Sequence, residues 1–318
     1  MDILTTPPIP LGEWLSVIEH EYLSAFVPAG GAAVKLAILD DTIIAAARDS
    51  LRRIGEAHGL LTVDIDAART RIHLMHELFF VIARAVPWDS LLQRYIEELF
   101  AENAYAWPRP NEAMTMPDLA AAFGVAPNLL ARNLDRWLTV DLWEDPRLAQ
   151  DFRAAMLSLC LARLNPDDAE TTGPAMQWLT GEKASAAALR AADISVRITR
   201  ANARPMLTSL CHFLRKAGAD GLLVVLDVRR LAQTGVAEGM LRYSPAAVMD
   251  TYEVLRELID DAEQLPGLFV VVLADAALAT GDPRRALGQY AALQMRVWPD
   301  VRPGDGQNPV APMVWLAA

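Results

Sequence analysis

VKLAILDDTIIAAARDSL, residues 34–51, decides how the chain folds. Its apolar run of strand length, residues 34–39, passes through two aspartates into Ile43, Ala47, Leu51 and Ile54, the spacing of one helical face, with an end expected near Gly55 or Gly59. LLTVDID, residues 60–66, follows as a second strand ending in acids. Strand, helix and strand in so short a stretch make a β-α-β crossover, which predicts a parallel sheet. Many proteins hold nucleotide phosphates in this frame, using a glycine-rich loop and a lysine between strand and helix. Here no glycine occurs between Ala32 and Ile54, and Lys35 lies inside the strand, pointing away from where a phosphate would sit.

Working outward, residues 12–26 place Trp14, Leu15, Ile18, Tyr22 and Leu23 at helical spacing, ahead of a PAGG break. Two apolar-periodic helices flank Pro87, residues 103–118 read as a loop rich in Pro, Asn and Met, and residues 117–183 read as helix throughout. A further helix at 203–218 leads to GLLVVLD (221–227), and a helix at 246–265 leads to LFVVVLAD (268–275). Two continuous apolar strands behind helices belong to a sheet buried on both faces. The expected fold is therefore α/β, a three-layer core around a parallel sheet with a helical insert. The expected division is an N-terminal arm and helix (1–28), the first half of the core (29–86), the insert (87–185) and the second half (186–318).

The chain has 318 residues, with 29 basic and 40 acidic side chains and a formal charge of −11. That balance disfavours nucleic acid or anionic lipid bound over the whole surface. The two cysteines, Cys160 and Cys211, have no CxxC partner, so neither a zinc site nor a disulfide framework is suggested. There is no basic leader followed by an apolar stretch, and no uncharged run of membrane-spanning length. A cytoplasmic protein with no membrane partner is expected.

In open α/β sheets ligands sit beyond the carboxyl ends of the strands. Those ends carry Asp40 and Asp41, Asp227, and Asp275. LLVVLD resembles the Walker B element, whose aspartate holds magnesium. The order of elements resembles an AAA-type P-loop ATPase core. More specifically, WLTGEK (178–183), NARPMLTSLCHFLRKAGADGLLVVLD (202–227), YEVLRELID (252–260) and DPRRALGQYAALQMRV (282–297) resemble the ATP-binding proteins of bacteriophage-exclusion (BREX) defence systems, over most of residues 29–318.

That resemblance implies a P-loop NTPase-like fold, with ATP and magnesium as cofactors if the site works and Asp227 as the magnesium ligand. It implies a first strand running into G-x-x-x-x-G-K-[ST], of which only Thr42 survives as the hydroxyl position. The acid that should follow Asp227 to polarise water is Val228. Asp40 or Asp41, at the degenerate phosphate-loop position, is expected to cap the helix and to repel ATP. Arg284 and Arg285, just past the last of these strands, stand where P-loop assemblies place an arginine finger or sensor.

The first reading is thus a pseudo-ATPase with no cofactor, a structural or regulatory subunit of an antiphage complex whose partners are other defence proteins, including a homologous active ATPase or further copies of itself. The second is an atypical ATP hydrolase completed in an oligomer, with Asp227 on magnesium and Arg284 or Arg285 acting in trans. The third is a DNA-binding regulator. LAAAFGVAPNLLARNL (119–134) has the turn glycine, Gly124, and the apolar spacing of a helix-turn-helix, and would offer Asn128, Arg132, Asn133 and Arg136 to bases. A plain helical hairpin has the same spacing.

His73 and His76 lie one turn apart without a third metal ligand at suitable spacing, and Cys211 and His212, adjacent on a helix, face apart. Arg204, beside Asn202, reads as either functional or solvated. The eight tryptophans read as core or interface anchors. The apolar tail NPVAPMVWLAA (308–318) is expected to close the sheet edge or dock on a partner, and no lid domain is expected after the core.

Overall fold

The computed structural model describes residues 6–165, 172–235, 238–298 and 306–318. In chain order the strands are β1 (Ile9–Pro10), β2 (Ala33–Ile38), β3 (Leu61–Asp66), β4 (Leu222–Asp227), β5 (Leu268–Ala274) and β6 (Met313–Ala317). The α-helices are α1 (Leu11–Val17), α2 (Asp41–Ala57), α3 (Met75–Ala85), α4 (Trp88–Glu102), α5 (Met116–Phe123), α6 (Pro127–Leu138), α7 (Gln150–Leu164), α8 (Thr172–Thr180), α9 (Ala186–Ala191), α10 (Ala203–Lys216), α11 (Pro245–Asp260), α12 (Ala277–Thr280) and α13 (Ala291–Val297). The chain forms two compact units, Met1–Leu78 with Ala219–Ala318, and Phe79–Gly218. No helix among the described residues is long and apolar enough to cross a membrane.

The first unit carries one parallel sheet in the order β1-β6-β2-β5-β4-β3, as the crossover at residues 34–66 demands. Alternate residues serve opposite faces. Ala37, Leu223, Val225, Phe269, Val271 and Val314 join Trp14, Ile18, Ile43, Ala47 and Leu51 in one apolar cluster, so α1 and α2 cover that face. Leu36, Val224, Leu226, Val270 and Val272 are buried on the other, and α11, which packs against β2 but takes no part in that cluster, covers it. This is the three-layer α/β core the sequence predicts.

Two details differ from expectation. The tail does not form the outer edge: β6 pairs with β2, and the two residues of β1 lie beyond it, at Ile9↔Leu316 and Pro10↔Ala317. A proline that cannot donate to a ladder suits that edge position. Gly55 does not stop α2, which runs on to Ala57, with Gly59 in the left-handed region at φ 70° just past its end. A β-carbon at Gly55 would lie 2.6 Å from Thr62 Oγ1 and 2.7 Å from Leu223 Cδ2, so the glycine lets α2 lie close on β3 and β4.

The second unit is helical among its described residues. Phe100 of α4 meets Trp107, Phe123 and Trp137 with ring centroids 5.3–6.0 Å apart. Tyr105 adds contacts to Phe123 and Trp137. This aromatic cluster fixes α5 and α6 against α4 and turns the opposite side of α6 outward.

Candidate functional site

The connection after β2 runs to the β3 side of the sheet, and the one after β5 runs to the β6 side. The carboxyl ends of β2 and β5 therefore flank a switch point, the usual place for a ligand in such sheets. Asp40, Asp41 and Thr42 follow β2 there, Asp275 follows β5, and Asp227 ends the next strand, β4.

Asp227 is buried, 3% exposed, and arginine holds it. Arg229 grips it at two points, Nε to Oδ1 at 3.0 Å and Nη2 to Oδ2 at 2.8 Å, while the Arg229 backbone N–H donates to Oδ1 at 3.1 Å. The remaining arm of the same guanidinium, Nη1, binds the Asp41 carboxylate at the start of α2. Arg48, two turns along α2, approaches Asp227 at 3.5 Å and donates to Asp64 of β3 at 2.7 and 3.0 Å. The hydrogen bonds to Asp227 and Asp41 raise the Arg229 pKa further above its usual range, so the clamp stays charged. Asp275 lies in the same field. Burial pushes its pKa up, nearby Asp41 adds to the effect, and its Oδ1 is buried without a hydrogen-bond partner.

The acids after β2 do not play the capping role predicted for them. Asp40 is the N-cap residue of α2 but its side chain makes no capping hydrogen bond, and Asp41 turns instead to Arg229. A charge-assisted hydrogen bond from a guanidinium outweighs a contact to a neutral amide worth about 1 kcal/mol. Thr42 is exposed in the first turn. Lys35 sits at the opposite part of β2 and is 6% exposed, its Nζ donating to the Val310 carbonyl at 2.5 Å and lying 4.6 Å from the Tyr22 ring centre. Burial lowers its pKa to about 8.

The two post-β5 arginines separate in role. Arg284 is exposed and pairs with Asp282. Arg285 is buried and donates to the Leu231 and Tyr243 carbonyls at 3.0 and 2.8 Å, tying the segment after β4 to the segment after β5. Asn128, Arg132 and Arg136 lie exposed on α6 in the second unit, and Asn133 is half-buried. His73 packs edge-on against Tyr243, and among the described residues no group of three or more His, Cys, Asp or Glu side chains could hold a metal ion. Cys211 is buried, its thiol pushed up to about 12 by burial, and His212 beside it is lowered first by burial.

Sequence reasoning singled out Asp227 and Asp41 but missed Arg229 and Arg48. A signal existed. Among the described residues Asp-x-Arg occurs at 145–147, 151–153, 227–229 and 282–284. At the first, third and fourth the arginine donates its backbone N–H and its Nε to the aspartate two residues earlier, whereas Asp151 accepts from Ser195 and Arg153 donates to the Trp143 carbonyl. Arg48 stands seven residues from Asp41, on the same helical face, which the sequence also records.

Taken together, the donor set does not fit a magnesium nucleotide. The acid that would hold the metal is bound to arginine, the helix start that would hold phosphate is acidic, and the one lysine of β2 is engaged elsewhere. Residues 135–318, more than half of the chain, match the family model for the BREX system ATP-binding protein BrxC/D. The matched stretch contains β4, β5 and β6 but neither β2 nor α2, and is shorter than the resemblance expected over most of 29–318. No curated protein matches, and no solved structure matches.

Proposed function

We propose that this chain, which belongs to the BREX system ATP-binding protein BrxC/D family, is a non-hydrolysing subunit of its defence complex, a P-loop-like scaffold that works through contacts with other defence proteins. The observation that carries this reading is the Arg229 clamp. One guanidinium spans Asp227 and Asp41, standing as an internal cation between the metal-binding position and the helix start. Displacing it for magnesium would break a buried, hydrogen-bonded ion pair, and the terminal phosphates would then face Asp40 and Asp41. No step of ATP hydrolysis follows from these residues.

The family description supports a second reading, in which the chain binds ATP and the site is completed in an oligomer. Arg284 is the exposed arginine left for action in trans; Arg285 is committed to its two carbonyls. Titration of the full chain with magnesium-ATP by calorimetry separates the two. The scaffold reading expects no saturable heat up to about 1 mM, a Kd that corresponds to only about 4 kcal/mol. Micromolar binding accompanied by steady phosphate release would replace it with the second.

A further inference from the structure

The outward side of α6 presents two guanidinium groups, Arg132 and Arg136, on one exposed helix face. α5 ends at Gly124 in the left-handed region, φ 66°, and α6 begins three residues later, the short glycine turn of a helix-turn-helix. Leu119 and Ala120 of the first helix and Leu130, Leu134 and Trp137 of the second are buried, so the pair packs as a fixed unit on the aromatic cluster of α4. Facing outward are Asn128, Leu129 (49% exposed), Arg132 and Arg136. Among the described residues neither arginine has a hydrogen-bond or ion-pair partner. The first turn of α6 holds no acid, and no side chain caps its start.

The objection from net charge applies unequally to the two units. Phe79–Gly218 holds 15 of the 29 basic and 16 of the 40 acidic side chains, which leaves it at −1 while the sheet unit carries the other −10. The helical unit is therefore close to neutral, and its exposed helix can approach a polyanion without the repulsion that the whole-chain charge implies.

We infer that α5 and α6 form a duplex-DNA contact, with α6 lying in the major groove. Asn128 and Leu129, in its first turn, are placed for base edges, the amide toward adenine and the isobutyl group toward a thymine methyl. Arg132 and Arg136, one and two turns further on, are placed for the groove wall and its phosphates. Asp118 is held by Thr115 in the capping box of α5, and Asp135 is exposed on α6. With two arginines against these acids, contact is modest in affinity and steep in salt. A plain hairpin needs none of the outward pattern, and an apolar protein partner would have no use for Asn128 beside an open helix start.

The test is fluorescence anisotropy of the full chain with a labelled mixed-sequence duplex of about 30 bp, from about 50 to 200 mM salt. Wild-type protein should bind at the lowest salt and release steeply. Arg132→Ala with Arg136→Ala should lose at least about tenfold in affinity and flatten the salt slope by about two, while Arg94→Ala, an exposed arginine on α4, should leave both unchanged. Asn128→Ala with Leu129→Ala should alter preference among duplexes and leave the slope alone. Circular dichroism confirms that the variants are folded. Absence of binding at the lowest salt overturns the inference, as does a double-arginine variant that binds like wild type. In either case the face is left to a protein partner.

Discussion

Two helices begin in this chain with similar backbone geometry and opposite chemistry. α2 starts at Asp40 and Asp41, directly after a central strand, and its field is answered from within by Arg229 and Arg48. α6 starts at Ala126 and Pro127 with no acid in its first turn, and its exposed arginines have no partner among the described residues. In the frame that looks most like a phosphate site the acids are already paired with arginine, while the helix that looks least like one presents its arginines outward. A fold therefore does not locate its own ligand; what matters is whether each charge is already paired.

The comparison breaks first at Arg229. Arg229→Ala should destabilise the sheet unit by about 3 kcal/mol, because Asp227 would remain buried with only the backbone N–H of residue 229 and the 3.5 Å contact from Arg48. Chemical denaturation measures it, and adding Asp227→Asn should recover part of the loss by removing the stranded charge. A change under about 0.5 kcal/mol, the size expected at an ordinary surface position, would mean that the clamp is incidental and the site accessible.

A smaller effect, set by pH, is expected at Lys35, the cation that the α2 frame does not use. Its folded pKa of about 8 lies below the unfolded value of about 10.4. The unfolded state therefore binds more protons between those two values, and stability from this group rises with pH across that window. Melting temperatures of the wild type and Lys35→Met should converge in one direction from pH 8 to pH 10, with the wild type gaining on the variant. A pH-independent gap would show that the Val310 and Ala311 carbonyls hold the ammonium without cost.

Much of the fold could be read from the chain because periodicity records burial. The 34–66 crossover and the apolar β4 and β5 name the parallel sheet, since continuous apolar strands have nowhere to go but inside. Even Gly124 could be read as a turn. The clamp as a whole could not, because the Asp-x-Arg spacing at 227–229 links only Arg229 to Asp227 and does not form the same clamp at 151–153. Only the register of β4 beside β3 and β5, together with the position of α2 above them, brings Arg229, Arg48, Asp41 and Asp64 together. The same limit explains the failed cap: sequence spacing places Asp40 at the helix start but says nothing of a competing guanidinium 188 residues from Asp41.

Within the helical unit, the capping box of α5 offers a sharper measure of how firmly the α5–α6 pair is held. Thr115 Oγ1 donates to Asp118 Oδ2 at 2.6 Å, and the Asp118 N–H reaches back to Thr115 Oγ1 at 3.4 Å. Thr115→Ala should cost about 1 kcal/mol, an ordinary cap value, read from denaturation of the full chain. A loss several times larger would mean that the turn at Gly124 depends on α5 being capped, and a negligible loss would mean that the aromatic cluster alone holds the pair.

The smallest effect is the one that most needs to be small. Arg132→Ala together with Arg136→Ala should change stability by no more than about 0.5 kcal/mol, since both side chains are exposed and neither has a partner among the described residues. Arg229→Ala, a change of the same chemical kind, is expected to cost several times more. The ratio between the two measures how far charge in the sheet unit has been turned to holding the fold and charge on α6 has been kept free of it. Should the α6 pair prove as costly to remove as Arg229, those arginines would be structural after all, and the contrast between the two helix starts would collapse.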